Sequence, residues 1–323
     1  MSSPDLITTA VYLRHRDVEC WNFRARHAQH LQRCLPNQRV LICENEKAFV
    51  AALPEADCVM VWTFKQEWFE LAPRLQVLST PAAGRDYFQV VPPPQVRLMY
   101  GSFHGCIIAE TVVGMILAMT RGLLASATTL ADQAWPRQEL CSIIRPLRGS
   151  HVVILGFGHV GEWIGRLLKP FGVRISGMRR DLRRKPPAWF APDDRLFLEN
   201  DLDAVLPTAD HVVLALPGAE DTNGILNSRR INLLSSHVTV CNVGRGNAIE
   251  EMPLYAALSA GRIAGAFLDV FSAEPLPENS ILRRCPNLWR LPHASAISDQ
   301  YLDLYVEDFA QQWKEWAAVP FSS

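Results

Sequence analysis

The sequence predicts an α/β protein built from two doubly wound parallel sheets, and three observations carry that prediction. Short apolar runs alternate with helical patterns through the first hundred residues, the alternation restarts at His151, and the restart opens on Gly156-Phe-Gly158-His-Val-Gly161. A chain of 323 residues, 49% of them hydrophobic, is long and apolar enough for about two globular domains, each with its own core.

In the first series, positions 6–13, 40–43, 58–62 and 75–78 read as strands, with helices at 21–35, 47–53 and 66–71 between them. Strands alternating with helices imply a parallel sheet. Pro92-Pro93-Pro94 interrupts the pattern, and 107–124 follows as a long, largely apolar helix buried on most sides, which puts the domain boundary near Tyr100. In the second series the strands are 152–155, 174–178, 211–216, 238–243, 264–270 and 288–291. The segment 299–316 is helical, with Leu302, Tyr305, Phe309, Trp313 and Trp316 on one stripe, and comes too late to belong to the second sheet. It is expected to cross back and complete the first domain, giving domains of 1–100 with 294–323, and of 101–293.

The apolar strand, the three glycines and then Ile164, Leu167 and Leu168 at helical spacing make a strand, a tight turn and a helix. In such a unit Gly156 allows the turn, Gly158 lets the backbone approach a pyrophosphate, and Gly161 lets the helix pack close to the strand. The helix-opening amides of His159 and Val160 then face an anion. Three glycines alone mark only a turn, but the flanking strand and helix point to a dinucleotide.

Several classes are excluded. A net charge of −1 gives no general attraction to nucleic acid or to an anionic membrane. No apolar run approaches the ~18 residues needed to span a bilayer, and Met1 to Thr9 is no charged-then-apolar leader, so a cytoplasmic protein is expected. The eight cysteines are scattered, without a Cys-x-x-Cys or a Cys/His pair at zinc spacing, which reads as free thiols in a reducing compartment and no metal site.

Ligands of doubly wound sheets bind outside the carboxyl ends of the strands. Three ionisable residues fall there: Arg245 in Asn-Val-Gly-Arg-Gly, Glu274 after Leu-Asp-Val-Phe271, and His293 after Leu-Trp-Arg-Leu-Pro292. An arginine fork holds a carboxylate through two parallel hydrogen bonds and polarises a neighbouring carbonyl. A histidine gives that carbonyl oxygen a proton as hydride arrives, and a carboxylate keeps the imidazole charged and oriented. Together they reduce a 2-oxo acid. Taken singly, each residue also fits a surface ion pair or a solvent-facing histidine.

The order of motifs adds to this. Leu147-Arg-Gly-Ser150, the Gly156 turn, Leu216-Pro217 with Thr222 and Asn227, Asn242-Val-Gly-Arg-Gly246, Leu268-Asp-Val-Phe271, Glu274-Pro-Leu-Pro277 and Pro292-His-Ala-Ser295 together resemble the D-isomer-specific 2-hydroxyacid dehydrogenase family. The resemblance implies a flavodoxin-like substrate domain split across both chain ends and an inserted, Rossmann-like cofactor domain. It implies Arg245 as the substrate-binding arginine, Glu274 as the carboxylate partner and His293 as the acid/base. It further implies cofactor contacts from Leu216, Pro217, Thr222 and Val243, with Asp269 holding the nicotinamide carboxamide. The backbones of Ala83 and Gly84 match the family loop whose amides bind the substrate carboxylate. Arg85 and Pro81 depart from the usual pattern there, and Arg85 reads either as an extra anion contact or as an exposed arginine.

The helix after Ala109-Glu-Thr111 matches the region through which this family dimerises, although a plain core helix fits the same pattern; a homodimer is expected. Glu274 rather than glutamine sets the chain apart from formate dehydrogenases, and its end at Ser323 sets it apart from the long phosphoglycerate dehydrogenases. Trp62, which also fits a core role, and the arginines after the second strand make glyoxylate/hydroxypyruvate reductases the nearest resemblance. The C-terminal-binding corepressors share the fold and triad while acting as dinucleotide-sensing partner-binding proteins, so turnover on a 2-oxo acid discriminates the two readings.

The cofactor is read from the end of the strand 174–178. NAD-specific sites place an acidic residue about 20 residues past the glycines to bind the ribose hydroxyls. Arg179 stands there instead, and Arg180, Arg183, Arg184 and Lys185 follow. A solvated basic loop and a displaced Asp181 are the alternatives, but a guanidinium fork suits a 2′-phosphate. NADP(H) is therefore expected over NAD(H).

Overall fold

The computed structural model describes residues 6–84, 88–128 and 130–318. The chain divides into two compact units: one runs up to His104 and resumes at Ile297, and the other is Gly105–Ala296.

The first unit is organised on β1 (Ile7–Tyr12), β2 (Gln38–Ile42), β3 (Cys58–Val61), β4 (Val77–Thr80) and β5 (Arg97–Tyr100), all parallel, in the order β2-β1-β3-β4-β5. This is the flavodoxin-like winding order. One face of the sheet is covered by Phe49, Leu53 and Trp68, which pack with Val59, Val61 and Leu78. The Tyr301–Ala317 helix belongs to this unit and buries Leu302, Tyr305, Phe309 and Trp313. Tyr305 is tied to β4 by a 2.7 Å hydrogen bond between its hydroxyl and that of Ser79.

Two expectations for this part of the chain shift, and one strand was not expected. The helix expected over 21–35 is Ala25–Cys34, preceded by a 3-10 turn at Glu19–Trp21, because the Asn22 side chain bonds the backbone of His15, Val18 and Glu19 and holds the chain out of the helix. The fourth strand starts at Val77, since the Leu75 amide closes a turn onto Ala72. β5 follows the triple proline and reads poorly, being a four-residue edge strand with only Met99 buried.

The second unit carries β6 (His151–Leu155), β7 (Arg174–Met178), β8 (Arg195–Phe197), β9 (His211–Leu214), β10 (Thr239–Asn242), β11 (Gly265–Leu268) and β12 (Leu288–Arg290). All are parallel, in the order β12-β11-β10-β9-β6-β7-β8. The winding direction reverses between β6 and β9, which is the switch point where such sheets open a crevice. Side chains alternate across β6: Val152 and Ile154 join a core with Ala109, Val112, Ile116 and Ile164, whereas Val153 and Leu155 join one with Leu206, Leu226 and Leu254. Both faces are therefore covered, and the strand reads as a continuous apolar run. The long helix spans His104–Thr120, not 107–124, because Gly122 takes a left-handed φ of 70° and a new short helix, Leu123–Ala127, begins after it.

Candidate active site

Gly156 turns the chain out of β6 at φ 92°, in a space where a Cβ would lie 2.6 Å from the Ala215 carbonyl oxygen. At Gly161 a Cβ would come within 2.3 Å of the Gly156 oxygen, so only glycine lets the His159–Leu168 helix approach the strand so closely. Gly158 differs from both: it is exposed, a Cβ there would meet nothing within 4 Å, and it caps the helix without a side-chain bond. The helix thus opens on space, with first-turn amides that need an acceptor. A pyrophosphate fits that arrangement. His159 is exposed and Val160 half-buried at the mouth of the turn. Leu216 and Val243 are buried at the ends of β9 and β10, and Pro217 is exposed. Thr222 turns its hydroxyl into its own loop, donating to the Pro217 and Ala219 carbonyls at 2.9 and 2.8 Å, which shapes the segment rather than reaching outward.

The arginines past β7 are in two different states. Arg179 is largely buried: its Nε donates to the Phe157 carbonyl at 2.7 Å, its guanidinium lies 5.3 Å from the Phe157 ring centroid, and it pairs with Glu162 at 3.5 Å. Burial and the neighbouring Arg184 hold its basicity below that of an ordinary guanidinium. Arg180 is exposed and pairs with Asp221 at 3.1 Å. Asp181 is engaged by Arg183, which donates from its amide and its guanidinium, both at 3.0 Å.

At the carboxyl ends of the adjacent strands β10, β11 and β12 stand the loops bearing Arg245, Asp269 with Glu274, and His293. The half-buried Arg245 is positioned by the strand-end Asn242, whose side chain donates to the Arg245 carbonyl at 3.0 Å and accepts from the Gly244 amide at 3.1 Å. His293 Nδ1 lies 2.8 Å from Glu274 Oε2, and Glu274 Oε1 accepts from the Phe271 amide at 2.9 Å. The carboxylate is thus fixed by main chain at one oxygen and orients the imidazole with the other. The His293 side chain is 51% exposed, so its far nitrogen is open to a reactant.

Sequence reasoning overlooked how His293 is held. Its backbone is left-handed, with φ 53°, a conformation that costs energy for any residue with a Cβ. Buried Asp269 imposes it: the His293 amide donates to the Asp269 carbonyl at 2.8 Å, and its carboxylate accepts from Ala294 at 2.7 Å and from Ser295 at 3.1 Å. Main-chain amides leave no mark in a sequence, so only the acidic residue at the strand end could have hinted at this clamp.

In the first unit, Ala83 and Gly84 lie in the loop after β4, exposed and half-buried respectively. Their loop is anchored where the Gly101 amide donates to the Ala82 carbonyl at 3.1 Å. Arg85 lies outside the described residues. Cys43, Cys58, Cys241 and Cys285 are buried thiols, and the described residues hold no cluster of metal-ligating side chains and no helix long and apolar enough to cross a membrane.

The family model for the D-isomer specific 2-hydroxyacid dehydrogenase NAD binding domain matches residues 113–295. The glyoxylate/hydroxypyruvate reductase B of Klebsiella pneumoniae is 31% identical over 72% of this chain and 72% of its own. A solved D-isomer specific 2-hydroxyacid dehydrogenase family protein from Aeromonas salmonicida superposes with a TM-score of 0.75 at 26% identity, covering 96% of this chain and 97% of that one. An NADPH-dependent glyoxylate/hydroxypyruvate reductase from Sinorhizobium meliloti, solved with NADP and sulfate, has the same fold (TM-score 0.75, 24% identity, 98% and 97% covered). With a family model matched over more than half its length, the chain belongs to the D-isomer specific 2-hydroxyacid dehydrogenase family.

Proposed function

We propose that the protein reduces a small 2-oxo acid of the glyoxylate or hydroxypyruvate kind to the D-2-hydroxy acid, with NADPH as the preferred reductant. The observation that carries this reading is the 2.8 Å His293–Glu274 pair at the carboxyl edge of the seven-stranded sheet, anchored to the Phe271 amide.

The Gly156–Gly161 turn and the amides of His159 and Val160 would hold the cofactor's pyrophosphate. Leu216, Pro217, Thr222 and Val243 would flank it, and Asp269 adds a carboxamide contact to its hold on the His293 loop. Arg180, exposed and paired only with the exposed Asp221 among the described carboxylates, is the stronger candidate for the 2′-phosphate. Arg179, bound to Phe157 and Glu162, supports the turn from below. The bound reduced nicotinamide supplies a hydride to the carbonyl carbon. Arg245 grips the substrate carboxylate and polarises the carbonyl. His293 donates the proton from Nε2 to the carbonyl oxygen, and Glu274 keeps Nδ1–H oriented and offsets the imidazolium charge.

The apolar His104–Thr120 helix supports a homodimer, and free thiols fit a reducing, cytoplasmic setting. Light scattering at micromolar protein is expected to give twice the chain mass, and a monomer contradicts the dimer. Chiral chromatography after incubation with NADPH and hydroxypyruvate tests the reaction: the D-hydroxy acid is expected, and an L product or no product overturns it.

A further inference from the structure

At the amino ends of the seven-stranded sheet, opposite the edge that carries the glycine turn, the second unit has a cavity of about 270 Å³. Thr120, Arg145, Arg148, Ser150, Asp210, His211 and His237 line it. Its volume falls below the roughly 300–1,000 Å³ of a drug-sized ligand site, so it fits a small molecule. Its charge is unbalanced. Asp210 is the one carboxylate in the lining, and it is already committed: Oδ1 meets His237 Nε2 at 2.7 Å, and Oδ2 accepts from the His151 amide at 2.7 Å. His211 is held neutral, since burial lowers its pKa to about 4 and its Nδ1 is engaged by the Thr239 hydroxyl at 2.7 Å. Arg145 and Arg148, both exposed, are thus left as the cavity's arginines, and among the described residues neither guanidinium has a carboxylate partner.

The surroundings add to the same sign. Arg121 reaches the Arg145 carbonyl with its guanidinium at 3.3 Å, and Arg174 and Arg195 open the neighbouring strands β7 and β8 at this end of the sheet. In a chain of net charge −1 this is a local concentration of positive charge around a concave site. Two guanidinium forks are matched by an anion with several acceptor oxygens around one centre, and a phosphate group has that shape where a single carboxylate offers only two oxygens.

We propose that this cavity is a phosphate-binding site, separate from the cofactor turn, held by Arg145 and Arg148 with His237 at its rim, for inorganic phosphate or a small phosphomonoester. The site stands independently of the reaction assigned above.

Calorimetric titration of inorganic phosphate into the protein saturated with NADPH tests it, because the cofactor then fills its own phosphate positions. One phosphate per chain is expected. Arg145→Gln and Arg148→Gln should each weaken binding by about tenfold or more, since each removes a charge-assisted contact, whereas Arg166→Gln, which removes an arginine stacked on Trp163 elsewhere, should not. Thermal unfolding of each variant without phosphate checks that the fold is kept. Glycerol phosphate in the same titration separates the sources: tighter binding than phosphate assigns an organic phosphate, and equal binding assigns the free ion. No phosphate uptake by the saturated protein, or uptake that both arginine variants retain, overturns the proposal.

Discussion

The seven-stranded sheet carries a histidine–carboxylate pair at each of its ends. At the carboxyl ends, Glu274 accepts from the Phe271 amide at 2.9 Å and meets His293 at 2.8 Å; at the amino ends, Asp210 accepts from the His151 amide at 2.7 Å and meets His237 at 2.7 Å. Each carboxylate takes one main-chain amide and one imidazole nitrogen, Nδ1 of His293 and Nε2 of His237. What differs is the setting. His293 is raised on a left-handed loop clamped by Asp269 and its side chain is 51% exposed, whereas that of His237 is 32% exposed beside a cavity lined with arginines. A carboxylate-oriented imidazole is therefore not a catalytic device by geometry alone. The strand edge decides, because only at the carboxyl edge does the pair share an end of the sheet with the glycine turn and with Arg245.

Substitutions sharpen that contrast, beginning with the largest effect. Arg245→Lys should cut kcat/KM on the 2-oxo acid by about 100-fold, because an ammonium cannot make the planar two-pronged contact. Steady-state kinetics check it, and a loss under threefold would remove Arg245 from its role.

Cutting the carboxylate of each pair separates chemistry from stability. Glu274→Ala should lower kcat by at least ~10-fold through a disoriented imidazole. Asp210→Ala should instead appear in the unfolding midpoint: it leaves the buried His151 amide without its acceptor, at a cost of about 1–3 kcal/mol. If Asp210→Ala leaves denaturant unfolding unchanged, the amino-end pair does not hold the strands as described.

The cofactor preference should respond to Arg180→Gln by about tenfold in kcat/KM for NADPH, with NADH nearly unaffected, since one charge-assisted contact to a phosphate suffices for that margin. An equal loss with both cofactors would mean that Arg180 does not read the 2′-phosphate.

A further effect is in the pH dependence of stability. Burial lowers His211 from its ordinary 6.5 to about 4, so the unfolded chain binds the proton first as pH falls. Stability from this group is complete above about 6.5 and is lost between there and about 4, amounting to about 3 kcal/mol. His27 and His151, lowered mainly by burial, act in the same direction. His211→Asn should flatten urea midpoints measured across that window, and an unchanged slope would show that burial of His211 is not its source.

These elements also show where a sequence is legible. The strand read over 174–178 is β7, Arg174–Met178, legible because Ile175 and Met178 frame a buried run that ends at the charged Arg179. β8 went unread because a three-residue edge strand, Arg-Leu-Phe, buries only Phe197 and carries no period. In the site, Glu274 and His293 were visible as ionisable residues past apolar runs, and the structure brings them together. The Asp269 clamp was not, since its partners are backbone amides. Nor was the Asp210–His237 pair: its members are 27 positions apart and flank strands instead of ending them. Arg179, the most prominent residue in the basic run, is turned inward onto Phe157, which follows from ring stacking that spacing does not reveal.

The most direct test is the rate of NADPH oxidation with glyoxylate and hydroxypyruvate, measured for the unaltered protein and for His293→Gln alongside NADPH binding to both. Turnover by the unaltered protein, a loss of at least ~100-fold in the variant and equal cofactor affinity are the expected results. No turnover of either acid despite cofactor binding, or a variant that keeps its kcat/KM, would contradict His293 as the proton donor of a 2-oxo acid reductase.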